Sequence, residues 1–240
     1  MVLSRYIKAE RVRQKGGKNV KFRHECKHRI NLADVIRLRT RLSAAAEHDP
    51  HCGADGSYFI KSLYFDNYND KVLREKEDGV RRREKFRIRY YDNDTSFMRL
   101  EKKTKLNNLS SKESAPVTAE ECRRIIEGDT GFMLDSPHEL MRELYAKMNY
   151  QLLRPKWIVA YDRECFVYPQ GNVRVTLDMG IRGSNAVERF TEPSDDFVSL
   201  YHTPILEVKW DEFLPQFIRD IVGLDGRRTS SFSKYAAVRI

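Results

Sequence analysis

The chain has 240 residues, a length that suits one large domain or two small ones. Its 44 Lys and Arg outnumber 35 Asp and Glu, and the formal net charge of +9 favours anionic partners. Hydrophobic residues make up 40% of the sequence, including 12 Phe and 12 Tyr, and this apolar content excludes wholesale disorder.

The cysteines and the apolar segments indicate the compartment. Four widely separated cysteines form neither a CxxC pair nor a zinc-ligand pattern with the six histidines, so we expect reduced thiols. No apolar run approaches the roughly 20 residues that would span a bilayer, and the first 20 residues lack an apolar signal core. We therefore expect a cytoplasmic protein without a membrane-spanning segment.

The chain begins with a basic segment and continues as one domain. Residues 1–21 carry seven Lys and Arg and a Gly-Gly break, which is typical of a mobile arm. From residue 22 to residue 240 no low-complexity linker and no repeat marks a boundary, so we expect a single domain there.

Two helices have clear start signals in the first half of the domain. The first begins near Asn31 as N-cap. We expect it to turn apolar residues toward a core, namely Leu32, Val35, Ile36 and Leu42. The second follows a capping-box sequence at residues 118–121.

Two further helices are predicted in the second half. A second capping-box sequence runs from Ser136 to Glu139, with proline at the first helical position. The last helix runs from about Pro215 to Val222, with Gly223 placed to end it.

Short alternating segments supply the strands. The predicted strands are residues 22–29, 58–66, 85–91, 96–104, 157–168, 172–178, 204–211 and 232–239. Eight strands are enough to close a barrel. Together with the helices they predict an α+β fold with mainly antiparallel pairing.

Charged residues recur at two-residue spacing along these strands. Residues i and i+2 of a strand share a face, so several strands each present one charged stripe, with members Glu25 and Lys27, Arg87 and Arg89, Glu101 and Lys103, and Glu207 and Lys209. Arg163 shares a face with Tyr161 and Cys165, residue types that are usually buried. That placement favours a functional interpretation of Arg163.

Spacing alone leaves the direction of these faces open, because an antiparallel sheet normally turns one polar face to solvent. An inward face would require an anionic ligand, since uncompensated Arg and Lys are costly in a confined space. Arg forms bidentate bonds to phosphate oxygens and Lys adds a point charge. Glu residues among them suit a divalent cation that bridges phosphate oxygens, such as Mg²⁺ or Mn²⁺.

The sequence resembles a known family, the polyphosphate polymerase domain of the vacuolar transporter chaperone (VTC) complex and its bacterial relatives. This family belongs to the triphosphate tunnel metalloenzymes, a CYTH-like superfamily. The resemblance extends from about residue 22 to residue 239. The matching segments are Glu25–Lys27, Ser62–Asp66, Lys85–Tyr90, Glu101–Lys103, Tyr161–Arg163, Asn172–Asp178, Ile205–Lys209 and Ser233–Tyr235.

The resemblance implies an eight-stranded antiparallel β-barrel, a triphosphate tunnel with flanking helices and a basic interior. It implies phosphate-binding roles for Lys27, Arg87, Arg89, Lys103, Arg163, Arg174, Lys209, Ser233 and Lys234, with Lys112 as a further candidate. It implies that Glu207 holds Mn²⁺ or Mg²⁺, and that Glu25 and Glu101 assist through metal-bound water or by orienting the lysines. The residues implied in catalysis are Arg87, Arg89, Lys103, Arg163 and Glu207.

The activity that the resemblance implies is transfer of the terminal phosphoryl group of ATP to a growing polyphosphate chain. The expected partners are ATP and inorganic polyphosphate or pyrophosphate. Two alternatives stay open: a metal-dependent hydrolase of tripolyphosphate or another triphosphate, and a noncatalytic polyphosphate-binding module. Nucleic acid is not expected, because base-stacking modules and recognition-helix signatures are not evident. The sequence does not indicate an oligomeric state.

The sequence departs from the family pattern at one position near its end. Eukaryotic relatives carry a lysine two residues before the serine of the Ser-Lys motif, where this chain has Ser231. We expect Arg227 or Arg228 to compensate. Four aromatic residues are interpreted as packing residues and not as nucleobase platforms, namely Tyr64, Phe65, Phe86 and Trp210.

Overall fold

The structure is a computed structural model that describes residues 23–106, 109–193, 197–224, 226, 227, 229 and 231–239. The predicted arm at residues 1–21 and Arg228 lie outside this part of the chain. No helix within these ranges is both long enough and apolar enough to cross a membrane.

Ten strands form one sheet within the described residues. They are β1 (His24–Arg29), β2 (Glu47–His48), β3 (Ser57–Asp66), β4 (Arg82–Tyr91), β5 (Asp94–Leu106), β6 (Leu109–Val117), β7 (Arg154–Tyr168), β8 (Val173–Ser184), β9 (Val198–Tyr201) and β10 (Ile205–Trp210).

The sheet is antiparallel and curled. Eight strands follow the order β1-β10-β8-β7-β3-β4-β5-β6, while β2 pairs with β7 and β9 with β8. Lys103 of β5 contacts Glu25 of β1, although five other strands lie between β1 and β5 in the order of the sheet. The sheet therefore bends into a half-barrel whose two edges approach each other. The α+β antiparallel tunnel fold is confirmed.

Six α-helices flank the sheet within the described ranges. They are α1 (Leu32–Ser43), α2 (Lys71–Glu77), α3 (Ala119–Glu127), α4 (Glu139–Tyr150), α5 (Gln216–Val222) and α6 (Lys234–Ala237). Two predicted starts are confirmed, because Asn31 and Thr118 each cap a helix in a complete capping box. The last predicted helix is α5, which ends at Gly223.

Two of the three hydrophobic clusters lie between the convex face of the sheet and the helices, whereas the third, which includes Tyr161 and Tyr235, lies on the concave side beside α6. Helices α3 and α4 pack beneath β4 and β5, where Phe65 and Phe86 are buried. Helices α1 and α5 pack against β8 and β10, and Trp210 closes that cluster. The packing interpretation of these three aromatic residues is confirmed. Since apolar side chains cover the convex face, the alternate residues of each strand point to the concave face.

The prediction for α1 was wrong at two positions. Val35 and Leu42 are buried as expected, but Leu32 and Ile36 are exposed. Leu38 is buried instead, which places the buried stripe at i, i+3 and i+7 from Val35. One side of a helix can face the sheet, so Leu32 and Ile36 fall outside that stripe.

The predicted capping box at Ser136 was also wrong, although the helix exists. Residues Gly131–Asp135 form a 3₁₀ turn that ends at Ser136, whose N–H donates to Met133 O. The Ser136 hydroxyl accepts a bond from His138 N at 3.3 Å. Helix α4 therefore begins later, with His138 as N-cap and no side-chain cap.

The predicted strand at 232–239 was wrong, because this segment contains helix α6. Phe232, Tyr235 and Val238 are all buried, and their spacing of three residues matches a helical turn and not a strand. This geometry leaves Ser233 and Lys234 free to face a different surface from the buried side chains.

Candidate functional site

The concave face of the sheet carries the charged stripes. Along β4, Phe86 and Ile88 are buried in the core, while Arg87 and Arg89 bond to groups on neighbouring strands of the other face. Arg163 of β7 is only 7% exposed. The charged faces therefore point inward, which spacing alone left open.

The first group of charges joins β1, β5 and β10. Lys27 Nζ lies 3.3 Å from Glu25 and 3.7 Å from Glu207. Lys209 Nζ lies 2.7 Å from Glu207, and Lys103 Nζ lies 3.1 Å from Glu25. Burial alone would raise the pKa of Glu207, but Lys209 and Lys27 hold it well below its usual range. Three lysines thus share two carboxylates.

The second group centres on Asp178 of β8. Arg163 donates two bonds to this carboxylate, at 2.5 and 2.8 Å, and Lys234 Nζ lies 2.5 Å from it. Arg163 also lies 3.6 Å from Glu207, which connects the two groups. Lys234 sits 4.5 Å above the ring of Tyr161. Asp178 is therefore fully neutralised by two buried cations.

The third group lies across β3, β4 and β5. Arg87 Nε donates to Glu101 at 2.8 Å, and its Nη1 donates to the Tyr64 hydroxyl at 2.9 Å. Lys112 of β6 lies 3.0 Å from the other oxygen of Glu101. These two cations hold the pKa of Glu101 far below its usual range, against the opposing effect of burial.

Arg89 lies in the interior beside this group and has no carboxylate partner among the described residues. It donates to Ser62 Oγ at 3.0 Å and to the Tyr161 hydroxyl at 2.9 Å. Its charge is thus held by neutral oxygens, which leaves it able to attract an anion.

A cavity of about 160 Å³ opens at one end of the concave face, and we call it the mouth cavity. Six basic and two acidic residues contribute to its lining. They are Lys27, Lys76, Arg83, Lys85, Lys103, Lys105, Glu25 and Glu84. Glu84 is already engaged by Lys147 of α4. The lining also includes Ser231 and Ser233.

Two lysines of the mouth cavity, Lys85 and Lys103, have pKa values lowered by burial and by neighbouring cations. Burial, together with Arg87 and Lys103, lowers the pKa of Lys85 to about 7. Burial also lowers the pKa of Lys103, with Lys27 and Lys209 adding to the effect. Tyr64 responds in the opposite sense: burial would raise its pKa, but Arg87 and Lys85 lower it to about 7. A bound polyanion would relieve this repulsion.

The structure brings together most of the residues singled out in the sequence. The three groups and the mouth cavity contain Glu25, Lys27, Arg87, Glu101, Lys103, Lys112, Arg163, Glu207, Lys209, Ser233 and Lys234, with Arg89 beside them. Arg174 lies apart from them, because its guanidinium bonds to Asp49 and lines a second pocket with His51 and Tyr58.

Arg227 does not fill the position of the lysine that Ser231 replaces. Its guanidinium bonds to Asp34 beside helix α1, and Arg228 lies outside the described residues. The side chain that reaches Ser231 is Lys76 of α2, whose Nζ lies 3.0 Å from Ser231 Oγ. The expectation for Arg227 was therefore wrong.

Several residues of the site were missed. Arg83 and Lys85 continue the two-residue spacing of Arg87 and Arg89, and Lys105 continues that of Lys103, so strand periodicity could have identified them. Lys76 had no such signal, because α2 was not predicted and its contact with Ser231 joins residues 155 positions apart.

A site for Mn²⁺ or Mg²⁺ needs oxygen ligands, which the acidic residues of the concave face could supply. No group of three or more His, Cys, Asp or Glu in the described ranges is arranged to hold a metal ion. Glu25 and Glu207 do lie next to each other, and one or two carboxylates completed by substrate phosphates and water are a common Mg²⁺ site. The donor set therefore fits a cation that arrives with phosphate.

Comparison with known proteins agrees with the geometry. The profile of the VTC domain family matches residues 22–239. A search of curated protein sequences found no match. A solved structure from Bacillus halodurans, named "putative adenylate cyclase", has a TM-score of 0.52 and 14% identity, covering 79% of this chain and 80% of that chain. This likeness concerns the fold alone.

A protein of Pyrococcus horikoshii OT3 is similar over 90% of this chain and 99% of that chain. Its TM-score is 0.49 and its identity is 13%.

Proposed function

This chain belongs to the VTC domain family and to the triphosphate tunnel class, and from that premise we propose that it is a polyphosphate polymerase. It transfers the terminal phosphoryl group of ATP to the end of an inorganic polyphosphate chain. The observation that carries this proposal is the excess of cations over carboxylates at the mouth of the concave face, where six basic and two acidic residues line one cavity.

The excess of cations supports a chain of phosphates as the ligand. Arg89 has only neutral partners, and Lys85 has a pKa lowered to about 7 by burial and by neighbouring cations. A single carboxylate or phosphate would neutralise only part of this charge. A run of linked phosphates offers one anionic group after another along the face, which matches cations spaced along β4 and β5.

The interior residues position and neutralise the reacting phosphates. Arg87, Arg89 and Arg163 donate to the oxygens of the transferred group, and Lys103 and Lys209 add point charges. The bond between the bridging oxygen and the γ-phosphorus breaks, ADP leaves, and a terminal oxygen of the polyphosphate chain forms the new bond to phosphorus. That oxygen is already ionised, so the reaction needs no strong general base.

Glu207 and Glu25 hold the divalent cation in this proposal. When bound, Mn²⁺ or Mg²⁺ would neutralise negative charge on the phosphate oxygens. Lys27, Lys209 and Arg163 hold Glu207 in place from three sides. Since its pKa lies well below the usual range, Glu207 remains an ionised ligand throughout the neutral pH range.

The decisive experiment incubates purified protein with ATP and Mn²⁺ or Mg²⁺ and separates the products by chain length. We expect long polyphosphate together with ADP. Arg87→Ala should reduce turnover by about tenfold or more, because a charge-assisted contact to the phosphate is lost. Glu207→Gln should chiefly impair the metal dependence, since it keeps the shape of the side chain and removes its charge.

Arg123→Ala is the matched control, because Arg123 lies on the exposed surface of α3 and pairs only with Glu120 and Glu127 among the described residues. Unfolding by urea should confirm that each variant remains folded. Unchanged activity in both Arg87→Ala and Glu207→Gln would contradict the proposed site. Release of orthophosphate without chain growth would instead identify a hydrolase.

A further inference from the structure

The hairpin formed by β4 and β5 places like charges directly opposite each other. Arg83 faces Lys105, and Lys85 faces Lys103, in the antiparallel register. Like charges at directly opposed positions destabilise a sheet. Glu25 offsets part of the charge at Lys103, but two successive pairs of this kind at the mouth cavity are unfavourable for the unliganded protein, and a bound anion would relieve the repulsion.

Helix α2 adds a further cation to the same place. Lys76 lines the mouth cavity and donates to Ser231 Oγ. Lys76, Arg83 and Lys105 all line this cavity, and burial lowers the pKa of Lys76, with Arg83 and Lys105 lowering it further. None of the three takes part in an ion pair between described residues.

The cationic row extends beyond the length of a triphosphate. From Arg83 to Arg89, β4 advances six residues, or about 20 Å at roughly 3.4 Å per residue. The proposed reaction centre uses Arg87 and Arg89 at the inner end of this row. Arg83, Lys76 and Lys105 lie at its outer end, where a triphosphate held by the inner arginines would not reach.

We propose that Lys76, Arg83 and Lys105 form an outer phosphate subsite, which holds a segment of inorganic polyphosphate that projects from the interior. This inference rests on the proposed function. It implies that the mouth cavity binds long polyphosphate chains in preference to triphosphates. Each added phosphate gains a cation at the mouth, so affinity increases with chain length until the outer subsite is filled.

The chemistry of the mouth favours an unsubstituted phosphate chain over nucleic acid. Phe232 and Tyr235 contribute to the lining, but both are buried, at 8% and 1% exposure. Binding of single-stranded nucleic acid commonly uses exposed aromatic rings on which bases stack. The outer subsite offers cations and serine hydroxyls, which can bind phosphate oxygens without any contact to a base.

The test measures the affinities of tripolyphosphate and of a long inorganic polyphosphate of defined length by calorimetry, without nucleotide. Lys76→Ala and Lys105→Ala should each weaken binding of the long chain by about threefold or more. Their affinity for tripolyphosphate should stay within about twofold of wild type. Lys71→Ala is the matched control, because Lys71 lies on the same helix α2 and pairs with Glu75 at 3.1 Å.

The outcomes separate this inference from the proposed function. Equal losses for both ligands, or no loss for the long chain, would overturn the outer subsite. Equally tight binding of single-stranded DNA, with the same losses in both variants, would overturn its assignment to polyphosphate. A length-selective loss in a protein that makes no polymer would keep the subsite and reject the polymerase. Polymer synthesis without any length-selective loss of binding would keep the polymerase and reject the outer subsite.

Discussion

The two sides of the concave face differ in how many of their cations are paired with carboxylates. Around β8 and β10, Arg163, Lys209 and Lys234 are paired with Asp178 or Glu207. At the mouth end of the β4–β5 hairpin, Lys85 and Lys105 have no ion pair among the described residues. The first side is neutralised by the protein itself, whereas the mouth end of the hairpin carries cations that a ligand can pair.

This difference shows how one face can be both rigid and receptive. Buried ion pairs with several hydrogen bonds hold their members in one geometry, and breaking them is costly. Burial of an unpaired cation destabilises the protein, and binding of an anion offsets this cost. The paired side therefore acts as a framework, while the hairpin side supplies most of the attraction for phosphate.

The largest expected effect comes from breaking the framework. Arg163→Ala leaves Asp178 and Glu207 buried with fewer counter-charges, and we expect a loss of about 3–5 kcal/mol in the free energy of unfolding. Urea unfolding of the unliganded protein measures this loss. Lys85→Ala is the comparison variant from the hairpin side and should cost much less. Equal losses in the two variants would contradict the distinction between the two sides.

The next effect is stabilisation by ligand. At tripolyphosphate concentrations about 100 times Kd, binding should add about 2.7 kcal/mol to the free energy of unfolding. For a chain of this size, that corresponds to a rise in Tm of about 5–10 °C. Differential scanning fluorimetry measures it. The rise should be smaller in Lys85→Met, and a full rise in that variant would show that the hairpin side does not supply the attraction.

The affinity for tripolyphosphate should depend on pH through Lys85 and Tyr64. Burial and nearby cations lower the pKa of Lys85 to about 7, and a bound anion favours its protonated form and so raises that pKa. Below pH 7 the lysine is already charged, so binding takes up no proton there. Above pH 7 binding takes up a proton, and affinity should fall by up to about tenfold per pH unit.

Calorimetry at pH 8 in buffers of different ionisation enthalpy measures this proton uptake. Tyr64, whose pKa is also about 7 because Arg87 and Lys85 overcome the effect of burial, contributes in the same direction, since an anion favours its neutral form. Lys85→Met and Tyr64→Phe separate the two groups. Proton uptake that is unchanged in both variants would assign it to other residues.

The smallest effect concerns the like-charge pair at the mouth. Lys105→Glu places opposite charges across the hairpin from Arg83, and we expect the unliganded protein to gain about 0.5 kcal/mol in free energy of unfolding. Urea unfolding at low salt measures the gain, which should shrink at high salt. Binding of long polyphosphate should weaken at the same time. A loss of stability would show that the mouth cations do not repel each other.

Much of the fold followed from local patterns in the sequence. The N-cap at Asn31, the capping box at Thr118 and the alternation along β8 and β10 depend on residues close in the chain, so the sequence predicted them. The segment 232–239 was misassigned because its three large apolar residues suit a short strand as well as a single helical turn. Its burial against β7 decided between them.

The candidate site was predictable where chemistry and strand spacing coincide. Arg163, placed between residues that seek burial, is buried. The same rule would have extended the site to Arg83 and Lys105. Asp178 was visible only as one member of an alternating strand, and its role as partner of Arg163 and Lys234 arises from contacts between distant segments.

The sequence by itself determined which side chains share a face on each strand, because the two-residue period of a strand is a local property of the backbone. It also carried the resemblance that identified the family. Only the tertiary structure decided that the charged faces enclose a common space, that carboxylates neutralise one side of it, and that Lys76 from α2 reaches Ser231. These features depend on the curl of the sheet and on contacts across long chain separations, which no local pattern encodes.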